Sequence, residues 1–518
     1  PGPAAAALMV TLRCCDASSC RAAGGQALQR ALLEARRSLG ATPENLRIKP
    51  VGCLRLCARG PLLAIDDPGS ATRLYGAVLP QRAAVVVQQA LAPAQPDPLA
   101  AHAVDQQHPF FALQQLVVLE SCGQVDPESL GDALARGAYS QLQRCRAEGR
   151  PERLRQRICR SGLRGRGGAG YPTGLKWDTV ALQPAGARFV VCNADEGDPG
   201  AFMDRAVLEG DPHRLLEGLA IAAYAVGARH GFIYVRADYP LAISRLRLAL
   251  QQVRSRGVLH HLDVQVRVGA GAYVCGEETA LIASIEGGRG TPRTRPPYPA
   301  QNGLFGAPTL INNVETLAAL PAILRRGADW YASLGTSGSK GTKVFALSGD
   351  LPHTGLVEVP MGTTLRTVVE TMGAATAIKA VQTGGPTGGC IPAALLDTPI
   401  DYDTLTALGS MMGSGGMVVL GEHVAMPELA RAFMRFCRQE SCGKCVPCRA
   451  GTVQLEQLLE RFCERRASAD DLAQLEQLAA MVRATSLCGL GQGAPNPVLS
   501  TLRWFRHEYE AACVGGHP

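Results

Sequence analysis

The sequence predicts a multidomain α/β protein, and three observations carry that expectation. The chain has 518 residues, far more than one hydrophobic core organises, so three to five domains are expected. From residue 186 onward short apolar runs alternate with amphipathic ones, the pattern of strands and helices in a parallel sheet. Eight of the 18 cysteines fall into two spaced groups of four, one near each end of the chain. With 19% charged, 46% apolar and 5% aromatic residues, the chain has the composition of a folded globular protein and not of a disordered one.

Residues 8 to 91 read as a compact α/β unit. A strand "LMVTLRC" is followed by a helix from about Gly24 to Leu39, a strand "LRIKPVG", the run "PLLAID" and a helix near 80 to 91. The stretch "APAQPDPLAAHAVDQQHP" at 92 to 109 is proline-rich and aperiodic, which predicts a linker. Helical patterns fill 110 to 161. The parallel sheet then follows, with "ARFVVCNA", "HGFIYVRA" and "LDVQVRVGAGAYV" as strands separated by helical "HRLLEGLAIAAYAVGA" and "LAISRLRLALQQVRSRG". Residues 340 to 400 are β-rich and punctuated by glycine, with one helix near "TLRTVVETMG", and after Pro427 the pattern is helical. No internal repeat is present. The apolar run "LAIAAYAVGA" is about half a membrane span, and the start "PGPAAAALMV" lacks the basic flank of a signal peptide. A cytoplasmic protein without a transmembrane segment is expected. The net charge of +7 is spread over many arginines without a basic block, so nucleic acid is not expected as a partner.

The cysteine spacing points to metal. Cys15-x4-Cys20 and Cys53-x3-Cys57 form the first quartet, and "ESCGKCVPCR" places Cys442, Cys445 and Cys448 two residues apart, with Cys488 supplying a fourth thiol. Stable disulfides are rare in the cytosol, and two sets of four thiols suit two iron–sulfur sites. A C-x2-C-x2-C turn wraps three thiolates around one 4Fe-4S cluster, whereas zinc knuckles come as two C-x2-C pairs. The first quartet suits 2Fe-2S. Cys14 abuts Cys15 and competes with it for the ligand role.

"GLRGRGGAGYPTGLKW" at 162 to 177 has the spacing Gly165-x-Gly167-x-x-Gly170. A dinucleotide fingerprint must follow a strand and open a helix. This loop instead follows the charged helical stretch "ERLRQRICRSGLR", so the simple dinucleotide reading fails. A glycine-rich loop with open N–H groups for an anion remains, with Arg164, Arg166 and Lys176 as candidate cations; a mobile turn is the plainer alternative. Two further loops sit at strand ends, where α/β sheets bind ligands. "CNADEGDPGAFMDR" carries Asn193, Asp195, Glu196 and Asp198, and "GAGAYVCGEETALIASIEG" carries Glu277 and Glu278 at a helix start, where acids commonly act as caps. Three polar loops at strand ends in one domain suggest one large ligand with a phosphate end and a hydrogen-bonding ring end.

Those three segments, together with "TPRTRPPYPA", "PTLINNVET" and "ESCGKCVPCR", resemble the flavin-bearing NADH-oxidising subunit shared by respiratory complex I and soluble NAD-linked dehydrogenases. The resemblance spans roughly 110 to 518. Residues 8 to 91 resemble the thioredoxin-like 2Fe-2S protein that is a separate complex I subunit. The fusion, with the closing "TSLCGLGQGAPNPVLSTL", is most similar to the large diaphorase subunit of the bidirectional NAD-reducing nickel-iron hydrogenases. The resemblance implies a thioredoxin-like 2Fe-2S domain at 1–91, a linker at 92–109, a Rossmann-like FMN and NAD(H) domain at 110–335, a ubiquitin-like β-grasp domain at 336–425 and a helical 4Fe-4S domain at 426–518.

It also implies ligands and roles. Gly165, Arg166, Gly167, Gly168 and Lys176 would hold the FMN phosphate side. Asn193, Asp195, Glu196, Gly276, Glu277, Glu278, Asn312 and Asn313 would surround the rest of the flavin. Tyr171 and Tyr298 would stack on NADH, with Asp198, Glu278 and Arg295 as polar contacts. The family pattern more often has Phe at the two tyrosine positions, Lys at Arg295 and Glu at Asp198. FMN would convert a two-electron hydride into single electrons for the clusters, so no side chain need act as general acid or base. The implied partners are a small iron–sulfur diaphorase subunit and hydrogenase subunits. The same module could instead serve a formate dehydrogenase, an electron-bifurcating hydrogenase or complex I, and a zinc-stabilised scaffold is the alternative outside enzymes.

Overall fold

The computed structural model describes residues 9–514. Leu8, the expected first residue of the opening strand, and the rest of 1–8 lie outside the described residues.

The N-terminal unit is a sheet of β1 (Val10–Cys15), β2 (Leu46–Val51), β3 (Leu63–Asp66), β4 (Arg73–Tyr75) and β5 (Ala103–Val104), in the order β2-β1-β3-β4-β5. β1 runs parallel to β2 and antiparallel to β3. Helices Gly25–Ser38 and Ala83–Leu91 pack beside it, as the periodicity predicted. The expected linker is corrected here: β5 lies inside 92–109 and pairs with β4. Tyr75 also donates a 2.8 Å hydrogen bond to Asp97, binding the segment back onto the sheet. Prolines masked this strand because they interrupt any period.

The segment 110–161 holds four helices, Pro109–Ala112, Leu130–Ala135, Ser140–Glu148 and Pro151–Ser161, but 113–129 is not helical as expected. Its backbone turns to other partners: Val118 and Leu119 donate to the buried Glu358 carboxylate. The central sheet contains β6 (Phe189–Ala194), β7 (His230–Arg236), β8 (Asp263–Gly269) and β9 (Thr309–Asn313) in the order β8-β7-β6-β9, all parallel. Crossover helix Pro212–Val226 starts with Pro212, is capped by Asp211 and ends at Gly227 in the left-handed region (φ +74°). From β6 the chain builds outward to β7 and β8, then returns to β9 on the other side. The ends of β6 and β9 therefore mark the topological switch point, where such sheets bind ligands.

A third, mixed sheet follows. It contains β10 (Thr342–Gly349), β11 (Gly355–Pro360), β12 (Ile378–Thr383), β13 (Gly389–Pro392) and β14 (Gly416–Gly421) in the order β11-β10-β14-β12-β13, with β10 and β14 parallel at its centre. The helix expected at "TLRTVVETMG" is a short π-helical turn, Thr367–Met372. From Met426 the chain is helical, with Met426–Glu440, Val446–Cys463, Ala469–Thr485 and Asn496–Ala511 as the long helices. No helix among the described residues is long and apolar enough to cross a membrane.

The N-terminal unit is docked on the central domain and not merely tethered to it. Arg245, 1% exposed, reaches Asp16 and donates 2.7 Å to the carbonyl of Glu209. Ser18 binds the Glu209 carboxylate through both its N–H and its hydroxyl, and Lys49 pairs with Asp132 at 2.5 Å. Gly52 and Gly210 meet backbone to backbone: a Cβ on Gly52 would stand 2.4 Å from the Gly210 Cα.

Candidate functional site

A cleft of about 510 Å³ opens at the switch point, within the range of small-molecule and cofactor sites. The helix Pro151–Ser161 ends at Gly162 (φ +67°), and the glycine loop follows it, as the failed fingerprint implied. Gly167 and Gly168 present bare backbone to the cleft. Asn193, Asp195, Glu196 and Asp198 come from the loop after β6, Gly276 and Glu277 from the loop after β8, and Asn313 from the end of β9. The sequence scattered these over more than 140 residues, and the sheet brings them to one place.

Several of these side chains turn out to be caps. Glu196 accepts from the N–H groups of Asp204 and Arg205 at the start of helix Met203–Gly210. Glu277 caps helix Glu278–Ile285, and Asn313 caps helix Val314–Arg326. Asp198 accepts from Tyr273 at 2.8 Å and Ser414 at 2.6 Å. Burial raises its carboxyl above the ordinary range, against the opposing effect of those donors. Asp195 differs. Its side chain is 1% exposed, both oxygens lack a hydrogen-bond partner, and Arg236 approaches only to 4.0 Å. Burial pushes its carboxyl up to about 7, with Arg236 opposing and Asp238 and Glu440 adding.

Four of the residues expected on the phosphate and flavin side have partners within the protein. The Arg166 guanidinium is buried and turned away from the cleft, bonded to Tyr331 and to the carbonyls of Thr342 and Lys340. The interior holds it because β10 and the residues just before it supply carbonyl acceptors there. Gly165 is occupied by its own loop and by Tyr402, whose hydroxyl donates 2.7 Å to the Gly165 carbonyl. Asn312 accepts from Trp177 Nε1 at 3.0 Å inside the core. Lys176 donates to Glu278 and to the Ile311 carbonyl, both at 3.3 Å, not to the glycine loop.

Lys176 instead belongs to a second constellation beside the cleft. Glu278 joins Lys176 to Arg295 at 3.0 Å, and Arg295 also comes within 3.9 Å of the cleft-lining Glu277. Lys176 lies 6.0 Å from the ring centre of Tyr171, and Arg295 lies 6.0 Å from that of Tyr298. Both rings are 52% exposed. Two open aromatic faces flanked by cations make a shelf suited to a nucleotide.

The sequence reading missed part of the cleft's lining. Tyr273 and Asp204, Gly384 and Thr387, Met411 to Ser414, and Gly489 and Leu490 all line it. The glycine density of "QTGGPTGG" and "MMGSGG" was the available signal, because close backbone approach favours residues without a Cβ.

The thiol quartets also come together. Cys442, Cys445, Cys448 and Cys488 line one pocket with Val274, Ser441, Lys444 and Leu490. Burial and the three neighbouring cysteines push the Cys448 thiol up to about 11, while Ser441 opposes. In the first quartet Cys15 neighbours Cys20 and Cys53, and Cys53 neighbours Cys57. Cys20 is raised by its bond to Cys15 and by burial. Four thiols crowded together resist deprotonation until a cation compensates them. Among the described residues no group of three or more His, Cys, Asp or Glu side chains could hold a single metal ion. A polynuclear cluster asks for four thiols lining one shared space, and the four cysteines of the second quartet line one pocket. Cys14, the competing thiol, is buried in the neighbouring core with its thiol pushed up to about 12 by burial and by Asp16.

Residues 158–322 match the Nuo51 FMN-binding domain, and residues 428–512 match the NADH-ubiquinone oxidoreductase-F iron-sulfur binding region. The NADP-reducing hydrogenase subunit HndC of Solidesulfovibrio fructosivorans is 50% identical over 77% of this chain and 83% of its own length. This chain belongs to the Nuo51 family. Other members bear out the breadth of that family. An NADH-quinone oxidoreductase subunit of Rhizobium meliloti is 41% identical over 76% of this chain and 97% of its own. The NAD-reducing hydrogenase HoxS alpha chain of Cupriavidus necator is 41% identical over 70% of this chain and 61% of its own. A crystal structure of an NAD+-reducing NiFe-hydrogenase in its H2-reduced state superposes with a TM-score of 0.70 at 32% identity, over 98% of this chain and 85% of that one. The Nuo51 chains so matched are NAD(H)- or NADP(H)-linked oxidoreductase subunits by name.

Proposed function

We propose that this chain is the diaphorase subunit of a cytoplasmic NAD-reducing hydrogenase, holding FMN in the cleft, NAD(H) on the shelf, a 4Fe-4S cluster on the second cysteine quartet and a 2Fe-2S cluster on the first. One observation carries the reading. Val274 and Leu490 line both the cleft and the pocket of the second quartet, so a ligand of the first is separated from a cluster in the second by a wall of apolar side chains. FMN, when bound, accepts hydride from a nicotinamide and releases its electrons singly.

The residues present fit that group. The cleft has the size for a mononucleotide, and the unpartnered Asp195 carboxyl accounts for a ligand's N–H or hydroxyl donors. The bare loop at Gly167 and Gly168 lets a ligand approach backbone. Tyr171 and Tyr298 orient the nicotinamide nucleotide by stacking, while Lys176 and Arg295 offer it charge. Tyr273, Ser414 and Asp198 clasp the third sheet to the central one.

The strand orders support the finer domain readings. β11-β10-β14-β12-β13 with a parallel central pair is the order of a ubiquitin-like β-grasp. β2-β1-β3-β4 with β3 antiparallel to β1 is that of a thioredoxin-like unit. The hydrogenase superposition includes this N-terminal part, since it spans 98% of the chain, and it supports small iron–sulfur and hydrogenase subunits as partners. A complex I-type outlet is the second reading, favoured by the match to 97% of a quinone oxidoreductase subunit.

Purified protein is expected to show flavin and iron–sulfur absorption and to reduce ferricyanide with NADH in the absence of partners. A colourless, zinc-loaded protein overturns the reading. Nickel in the native complex selects the hydrogenase outlet, and its absence selects the second reading.

A further inference from the structure

Asp204 stands in the cleft wall, in the first turn of helix Met203–Gly210, and is 3% exposed. Its Oδ2 accepts a 2.5 Å hydrogen bond from Asn313 Nδ2, while its Oδ1 is buried without a partner. The charged groups facing it are Glu196 from the loop after β6, Glu315 from helix Val314–Arg326 and Lys343 from β10. The Cys192 thiol of β6 is also near.

The one cation of this group is already committed. Lys343 Nζ donates to Glu315, and both side chains are fully buried. Glu196 has its own compensation, from the N–H groups of Asp204 and Arg205 and from the Tyr239 hydroxyl. Asp204 receives a single side-chain N–H. Of two coupled buried carboxyls, the one with fewer donors keeps the proton, and burial followed by Glu196 holds Asp204 well above the ordinary carboxylate range.

The cleft's charge makes the same demand. Asp195, Glu196, Asp198, Asp204, Glu277 and Asp403 line it, against Arg164 alone as a cation among the described lining residues. Gly167 and Asn313 are in contact, since a Cβ on Gly167 would stand 3.0 Å from the Asn313 Cβ. Asp204, bonded to Asn313, is therefore at the glycine-loop end. An ionised Asp204 would repel an anionic group there, whereas a neutral one offers it a donor.

We propose that Asp204 is a neutral carboxylic acid at pH 7 whose Oδ1–H is donated to an oxygen at the ribityl-phosphate end of bound FMN. The inference rests on the flavin reading of the cleft. Asp204→Asn keeps an acceptor for Asn313 and a donor toward the cleft, while Asp204→Ala keeps neither. FMN is titrated into the flavin-free full chain at pH 7, followed by flavin fluorescence, with near-ultraviolet circular dichroism to verify folding. Infrared difference spectra of wild type and Asp204→Asn follow the C=O stretch of protonated carboxyl groups. The expected result is binding by Asp204→Asn within about threefold of wild type, a loss of about tenfold to a hundredfold in Asp204→Ala, and disappearance of one protonated-carboxyl band in Asp204→Asn. A tenfold loss in folded Asp204→Asn, or an unchanged carboxyl band, overturns the inference alone. Failure of the wild type to bind FMN overturns the flavin reading and this inference with it.

Discussion

Replacing Arg245 by Met should loosen the N-terminal unit from the central domain without unfolding the latter. The substitution keeps an apolar stem of similar length but removes the donors that Asp16 and the Glu209 carbonyl share at the buried interface. Asp16 retains Arg21, which holds it through two bonds of 2.8 and 2.6 Å, so its charge is not abandoned. The Glu209 carbonyl loses its side-chain donor. Breaking a buried pair from one side costs about 3–5 kcal/mol, and the surviving Arg21 places this case near 3. At about 1.4 kcal/mol per factor of ten, opening of the unit becomes roughly a hundredfold more frequent. Native-state hydrogen exchange reads this directly: amides of Val10–Cys15 and Leu46–Val51 should exchange about a hundredfold faster, while those of Phe189–Ala194 stay unchanged. Unchanged exchange in the two N-terminal strands, or equal acceleration in all three, refutes the reasoning.

Three further outcomes are expected. Asp195→Asn should stabilise the flavin-free protein above pH 7: an acid raised to about 7 when folded binds its proton more tightly than in the unfolded chain, contributes stability below pH 4 and loses it as pH rises through 7. Urea unfolding of wild type and variant should therefore coincide near pH 4 and diverge by up to about 4 kcal/mol at pH 8; a constant difference would exclude this linkage. Tyr402→Phe removes the hydroxyl that holds the Gly165 carbonyl and should weaken FMN retention about fivefold, the scale of one neutral hydrogen bond, with unchanged flavin content after gel filtration as the contrary result. Cys488→Ala should remove the 4Fe-4S signal in electron paramagnetic resonance and block electron delivery to partners while sparing NADH–ferricyanide activity. Cys57→Ala should remove only the 2Fe-2S signal, because the quartets share no ligand; loss of both signals in either variant contradicts the two-quartet assignment.

The sequence already contained the parts that depend on local order. Alternating apolar runs set three of the four parallel strands, because a β-branched run between glycine and proline breaks has few other conformations, while β9 was not read as a strand and shows only in the sheet. The glycine loop was separable from a dinucleotide fingerprint because the preceding residues are charged with helical period. The second thiol quartet was legible because C-x2-C-x2-C places three sulfurs on one turn. Residue identity in "NADEGDP" and "GEE" also pointed to loops that line the cleft.

What a residue does once it reaches the site was decided by partners far away in the chain. Arg166 and Lys176 carry the same charge in the same loop region, yet acceptors at and just before the third sheet draw Arg166 into the interior, while Glu278, a hundred and two positions beyond Lys176, draws that side chain to the aromatic shelf. Glu196, Glu277 and Asn313 became caps because helices start beside them. Asp195 and Asp204 kept unpartnered oxygens because none of the neighbouring donors reaches them. The supposed linker acquired a strand and the N-terminal unit a docking face through long-range pairs such as Asp16 with Arg245. Sequence period reports which face of an element is apolar, whereas hydrogen-bond partners and ionisation depend on which elements pack together, and only the tertiary structure sets that.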